Sequence, residues 1–325
     1  MRSSAVPPPV TTVMESAGDW LPARLAEVED RLAEVAAGHG PELGGEAEST
    51  LAAGGKRLRP LLVLICAGSA AERAVAAALA VELVHMATLV HDDVLDGAPV
   101  RRGRPTVVAR AGREAAVGVG DLLFSRAFAE LARDGSAAQV ADMSSAAVAL
   151  ALGELAQRRD AYDTSVDEAR YLHRCSLKTA RLFESACRVG RLASGAPGSE
   201  DLAAFGREIG LAFQMLDDVL DVTGPPERTG KARGADLLDG TVTLPLILAM
   251  ERDPELAAAE LRGLDPAGAE RLCDRVAATD ALDRVRERAR AGIVAAKATL
   301  RAEAFSDRER ELLGLLADGV VERYS

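Results

Sequence analysis

From Trp20 onward the chain places apolar side chains at intervals of three and four, with Ala, Glu and Arg between them, the period of amphipathic helices. This spacing predicts helices over Leu21 to Ala36, Ala70 to Leu95, Ala115 to Arg133, Ala137 to Arg158, Val166 to Leu192, Ser199 to Val222, Thr243 to Met250 and Ala281 to Ala302. No alternating strand pattern competes with it. Gly, Pro and Asp-Gly punctuation interrupts the run at 97–105, 194–198 and 223–240, but none of these breaks has the length or composition of an interdomain linker. The expectation is an all-α, single-domain helical bundle over 20–325, preceded by a flexible leader at 1–19 that contains three consecutive prolines.

Within this pattern the pentapeptide Asp-Asp-Val-Leu-Asp occurs twice, as Asp92, Asp93, Asp96 and as Asp217, Asp218, Asp221. Its flanks at 85–90 and 211–216 are largely apolar, a setting in which an uncompensated carboxylate is costly. At about 100° per residue, the first, second and fifth positions span an arc of roughly 100°, so all three carboxylates are expected on one helix face. One such cluster could be a solvated acidic turn. Two of them point to a shared site for a hard divalent ion such as Mg²⁺, which is completed by water and substrate phosphates. The implied ligand is a diphosphate.

Cations follow the acids. Arg101, Arg102 and Arg104 form a turn just after the first acidic segment, and guanidinium forks suit phosphate oxygens. Basic residues there would also complement a helix C-terminus. Upstream, Gly54-Gly55-Lys56-Arg57-Leu58-Arg59-Pro60 gathers three cations in a glycine-led turn, compact enough for a second diphosphate. His85 lies two helical turns before Asp92 on a similar face. Lys178 and Thr179 sit in an apolar helix, Gln214 precedes the second acidic cluster, and Lys231 follows it in a glycine-rich loop.

Composition narrows the setting. The 325 residues carry a formal charge of −11 and no basic, aromatic-rich segment, which argues against nucleic acid as the main partner. Cys66, Cys175, Cys187 and Cys273 are widely spaced, without metal-finger or redox-pair spacing, so a reduced cytoplasmic setting is expected. The first residues lack the apolar core of a signal peptide, and no stretch of about twenty uninterrupted apolar residues follows.

Taken in order, Gly-Gly-Lys-Arg-Leu-Arg-Pro, His-Asp-Asp-Val-Leu-Asp with Arg-Arg-Gly after it, Leu-Lys-Thr, Phe-Gln-Met-Leu-Asp-Asp-Val-Leu-Asp and Thr-Leu-Pro at 243–245 closely resemble the all-trans isoprenyl (polyprenyl) diphosphate synthases, from about Leu51 to Met250. The resemblance implies the type I isoprenoid synthase fold around a large central cavity, and condensation of isopentenyl diphosphate with an allylic diphosphate. It also implies three Mg²⁺ ions per active site. Asp92, Asp96 and Asp217 would be the main metal ligands, with Asp93, Asp218 and Asp221 supporting them or binding through water. Gly55, Lys56, Arg59, His85 and Arg102 would hold isopentenyl diphosphate; Arg101, Lys178, Thr179, Gln214 and Lys231 would hold the allylic diphosphate. In the chemical step Asp92, Asp93, Asp96, Arg101, Lys178, Asp217, Asp218 and Lys231 would act as the catalytic set. One position departs from the pattern: many members carry a lysine two residues before the Thr of Thr-Leu-Pro, where this chain has Thr241.

Product length would follow the depth of an apolar tunnel below the first acidic helix. Ala87 and Thr88 stand where short-chain members often have aromatics, with Val84 and Val81 on successive turns below. The small residues of 137–151 would either line the same cavity or pack closely against another helix. A product of about C30 to C40 is expected, with geranylgeranyl diphosphate the main rival. A class I terpene cyclase is the nearest other enzyme, although its second metal motif normally mixes Asn, Ser or Thr with Glu. A subunit of a heteromeric synthase is the remaining alternative. Family habit implies a homodimer and transient membrane contact at product release.

Overall fold

Helices form wherever the three-and-four spacing runs unbroken, and they stop at glycine in the left-handed conformation, as at Gly97 (φ 61°) and Gly195 (φ 68°). The computed structural model describes residues 8–38, 57–101, 103–134, 136–224 and 233–322. The described elements are α1 (Pro8–Ala17), α2 (Trp20–Ala37), α3 (Leu58–Ala67), α4 (Ala74–Asp96), a hairpin of β1 (Val100–Arg101) and β2 (Arg104–Pro105), α5 (Val107–Asp134) and α6 (Ala137–Arg159). There follow α7 (Glu168–Cys175), a π-helical turn (Ser176–Ala180), α8 (Arg181–Ser194), α9 (Ser199–Thr223), α10 (Ala235–Leu238), α11 (Leu244–Met250), α12 (Pro254–Ala257), α13 (Pro266–Ala277), α14 (Ala281–Thr299) and α15 (Asp307–Glu322). The all-α expectation holds, with the short antiparallel hairpin as the described exception.

The bundle is organised around α8, which packs on α3, α4, α6 and α9. Phe183 on α8 and Phe205 on α9 are fully buried, and each such ring contributes about 2–3 kcal/mol of burial free energy. On one flank α5 covers α4; on the other α14 covers α9, and α15 closes over α14 and α1. Helix α4 is long and apolar enough to cross a membrane, but most of it is buried inside the bundle.

Several expectations change in detail. The segment read as a flexible leader contains α1, whose Val13 and Ala17 are buried where the helix packs on α15. The single helix expected over Val166 to Leu192 is divided by the π turn, which widens the backbone by one residue at Ser176–Ala180. Residues 70–73 lie outside α4, and α5 begins earlier than its apolar period suggests, with a non-helical Gly112 (φ 86°, ψ 174°) inside it. All four cysteines are buried and free.

Two glycines let neighbouring helices close on the π turn. A Cβ at Gly153 of α6 would lie 2.6 Å from the Lys178 backbone nitrogen, and one at Gly210 of α9 would lie 2.6 Å from the Ala180 Cα. The backbone carrying Lys178 and Thr179 is therefore gripped from both sides. In an exposed helix Gly→Ala stabilises by about 1 kcal/mol. Here the sign reverses: Gly153→Ala should destabilise the protein by about 1–3 kcal/mol in urea unfolding, because the methyl forces α6 off the turn.

Candidate active site

Helix α4 is buried on most sides and partly open along His85, Thr88, Leu89, Asp92 and Asp96, a stripe at helical spacing. Asp92 and Asp96 therefore face a mouth. Asp93 does not; it is 5% exposed and accepts a 2.6 Å hydrogen bond from Arg101 Nε, reaching back from the hairpin. The second repeat on α9 behaves the same way. Asp217 is exposed and Asp221 half-buried, whereas Asp218 is 2% exposed. The expectation that all three carboxylates share one face is thus corrected in both repeats. A rotation of about 100° carries the second position out of the mouth and into the wall.

The inward carboxylate of α9 ends a chain of hydrogen bonds. Thr179 Oγ1 donates to Gln214 Oε1 (2.7 Å), Gln214 Nε2 donates to Asp218 Oδ1 (2.8 Å), and the Tyr171 hydroxyl donates to Asp218 Oδ2 (2.6 Å). Burial pushes the Asp218 carboxyl well above the usual carboxylate range, with Asp236 adding to the effect, while the Tyr171 and Gln214 bonds pull it back. Tyr171, itself fully buried, is likewise held protonated by burial and by the neighbouring Asp218. Asp221 is met by the backbone N–H of Asp236, at 3.3 Å.

Helix α6 supplies the third wall. Lys178 Nζ donates to Glu154 Oε2 (2.5 Å), Arg158 Nε donates to Glu154 Oε1 (2.8 Å), and Arg158 Nη2 donates to Asp96 Oδ1 (2.5 Å). Burial opposes ionisation of Glu154, but Lys178 and Arg158 outweigh it and hold the carboxyl below its ordinary range. Asp92 goes the other way: burial raises it, Lys178 lowers it, and Glu154 and Asp96 raise it further. Oxygen donors on two helices thus flank a lysine-bearing turn. Among the described residues, no three acidic, histidine or cysteine side chains converge closely enough to hold an ion by themselves.

The sequence model of the polyprenyl synthetase family matches residues 41–272. The chain belongs to that family. It is 40% identical over 268 residues to the heptaprenyl diphosphate synthase component 2 of Geobacillus stearothermophilus, covering 80% of this chain and 83% of that one. It is 40% identical over 210 residues to the octaprenyl diphosphate synthase of Escherichia coli, covering 63% and 65%. The crystal structure of a polyprenyl synthase from Caulobacter crescentus, complexed with calcium and isoprenyl diphosphate, superposes with a TM-score of 0.90 at 35% identity, covering 96% of this chain and 98% of that one. The protein is a prenyltransferase of the polyprenyl synthetase type.

The basic turn of this polyprenyl synthetase is divided by role. Arg57, in the left-handed conformation (φ 48°) before α3, pairs with Glu82 at 2.6 Å and Glu29 at 2.5 Å, so its charge is spent inside the protein. Arg59 lies over the Phe183 ring at 4.4 Å. Gly55, Lys56, Arg102 and Lys231 lie outside the described residues. Of the chain-length candidates, Thr88 stands on the open face of α4, its hydroxyl donating to the His85 carbonyl, whereas Ala87 and Val84 are sealed at 0% exposure. The buried side of α6, which includes Gln139, Met143 and Ala146, packs on α8, so part of that small-residue helix serves close packing.

Sequence reasoning passed over Tyr171, Glu154 and Arg158. An acid directly after Gly153 in an alanine-rich helix was the available signal for Glu154; Tyr171 finds its partner 47 positions away and left none. The Tyr171 bond favours ionised Asp218, so Tyr171→Phe raises an already raised carboxyl further. A carboxyl whose folded pKa lies above its unfolded value loses its stabilising contribution as pH rises between the two. Tyr171→Phe should therefore cost about 1–3 kcal/mol in urea unfolding at pH 8 and less at pH 5.

Proposed function

We propose that this polyprenyl synthetase elongates an allylic diphosphate with isopentenyl diphosphate to an all-trans product of about C30 to C40, using Mg²⁺ held between α4 and α9. The observation that carries the reading is the mouth itself: Asp92 and Asp96 on one helix, Asp217 on the other, and the Lys178–Thr179 turn between them. Asp92, Asp96 and Asp217 fit a hard ion, because they offer carboxylate oxygens alone and face the mouth. The calcium in the Caulobacter relative is an ion of the same preference. When bound, the metal supplies Lewis-acid neutralisation of the departing diphosphate.

The protein's own residues do the rest. Asp93 and Asp218, buried and hydrogen-bonded, fix the rotation of the two acidic helices, and Asp221 supports the second. Lys178, Thr179, Gln214, Arg101 and Lys231 take the allylic diphosphate, while Gly55, Lys56, Arg59, His85 and Arg102 take isopentenyl diphosphate. Apolar walls keep water from the allylic cation, so the double bond of isopentenyl diphosphate reaches it first, and the released diphosphate accepts the proton. The reaction needs no enzyme nucleophile. Length is set along the Thr88 face of α4, which carries no aromatic ring. The heptaprenyl and octaprenyl products named for the relatives support a long product.

Four buried free cysteines support a reduced, cytoplasmic setting, with transient membrane contact when the product leaves. We also propose a homodimer. Helix α6 turns Val148 (61% exposed), Leu152 (51%) and Leu155 (66%) outward in one stripe, with Val117 of α5 also exposed. Leu152→Glu should convert a dimer to a monomer in sedimentation velocity; an unchanged dimer would place the interface elsewhere. The Geobacillus relative is named as one component of a synthase, so activity of the purified chain alone separates a homomer from a subunit that needs a partner.

The direct test incubates the purified protein with Mg²⁺, labelled isopentenyl diphosphate and, in turn, dimethylallyl, geranyl, farnesyl and geranylgeranyl diphosphate. A ladder ending at one long product is expected, and Thr88→Phe should shorten it. No incorporation with any primer would overturn a self-sufficient synthase in favour of a cyclase or a subunit that needs its partner; a Thr88→Phe product of unchanged length would put the tunnel on another face.

A further inference from the structure

Two arginines pair with the acids of α4, and they are built differently. Arg101 meets an Asp93 whose side chain is only 7% exposed, at 2.6 Å, as part of the wall. Arg158 meets Asp96 at the rim, where the two side chains are 41% and 31% exposed. A pair that open is weak and easily exchanged. Asp96 is also a carboxylate placed for a divalent ion, so an ion arriving there competes with the Arg158 guanidinium for the same oxygen.

The displaced guanidinium would remain at the mouth. Glu154 holds Arg158 from the α6 side at 2.8 Å and holds Lys178 with its other oxygen, so one carboxylate spaces the two cations along one wall. The position also matches a gap in the sequence. Tyr162 N–H donates to the Gly240 carbonyl at 2.7 Å, which lays the exit of α6 against the residue before Thr241, where the chain has no cation. Arg158 sits in the last turn of α6, four residues before that contact.

We propose that Arg158 is a ligand of the allylic diphosphate, poised on Asp96 and released to the diphosphate oxygens when a metal ion takes that carboxylate. It supplies from α6 the positive charge that Thr241 does not. Lys178, spaced from it by Glu154, takes the neighbouring oxygens. The proposal rests on the reading of this mouth as the allylic diphosphate site.

The test measures binding rather than turnover, by titrating the full-length protein in Mg²⁺ with geranyl S-thiolodiphosphate, an allylic diphosphate analogue that resists ionisation. Arg158→Gln should weaken its binding by about 10- to 100-fold, the loss of a charge-assisted contact, and leave isopentenyl diphosphate binding unchanged, which also reports an intact fold. Arg158→Lys should fall between the two, and adding Thr241→Lys to Arg158→Gln should restore most of the affinity. Lys178→Ala serves as the control on the site. If Lys178→Ala weakens the analogue and Arg158→Gln does not, the role of Arg158 is overturned while the site stands. If neither changes binding, the mouth is not the allylic site and both readings fall.

Discussion

A carboxylate placed in an apolar wall has to be neutralised or hydrogen-bonded, and this requirement arranges the molecule around its mouth. The walls are apolar because the bundle needs a buried core on α4, α8 and α9. The acids are there as well, and most of the described ones have a partner: Arg101 for Asp93, Tyr171 and Gln214 for Asp218, Lys178 and Arg158 for Glu154, Arg158 for Asp96, while Asp92 is raised by burial and feels Lys178 and Arg101 without a direct bond among the described residues. Those partners come from the hairpin, α7, α9, the π turn and α6. Compensating the charge is therefore also what ties separate helices to one another across the mouth.

The π turn shows how local backbone serves this arrangement. An uninterrupted α-helix over 166–192 would present Lys178 and Thr179 at a fixed rotation relative to Phe183. One extra residue in the turn shifts that phase, so Phe183 is fully buried while Lys178 remains partly exposed and bonded to Glu154. Such a turn lacks the regular ladder of an α-helix and gains from close neighbours. Gly153 and Gly210 permit them, at distances a side chain would not allow. Packing and chemistry thus act on the same five residues.

Much of this was legible in the sequence, and the reason is periodicity. The helical class follows from three-and-four spacing, and the two acidic repeats stand out because carboxylates are rare in such apolar surroundings. What spacing left open was the direction of the second aspartate in each repeat. Its angular offset places it at the edge of the acidic arc, and only the neighbouring helix decides whether that edge is mouth or wall. The same ambiguity covers Ala87 and Thr88, adjacent in sequence and opposite in exposure. Tyr171 and Glu154 were illegible for a different reason: each acts through a partner on another element. Helix α1 hid behind its prolines, which suit a first helical turn as well as a loop, and its burial depends on α15 at the far end of the chain.

Charge balance at the mouth also bears on how ions and substrate would arrive. With Lys178 and Arg158 set against Glu154 and Asp96, the α6 side is already paired, and a divalent ion taking Asp96 alone would have to displace Arg158 and leave it sharing Glu154 with Lys178. A diphosphate alone would meet carboxylates at the same rim. Arriving together, the ion takes the acid and the diphosphate takes the freed guanidinium, so neither charge is left unpaired. Metal and allylic substrate are then coupled ligands, each raising the other's affinity by the same factor, and the exchange of partners at Asp96 is the physical step through which that coupling would act.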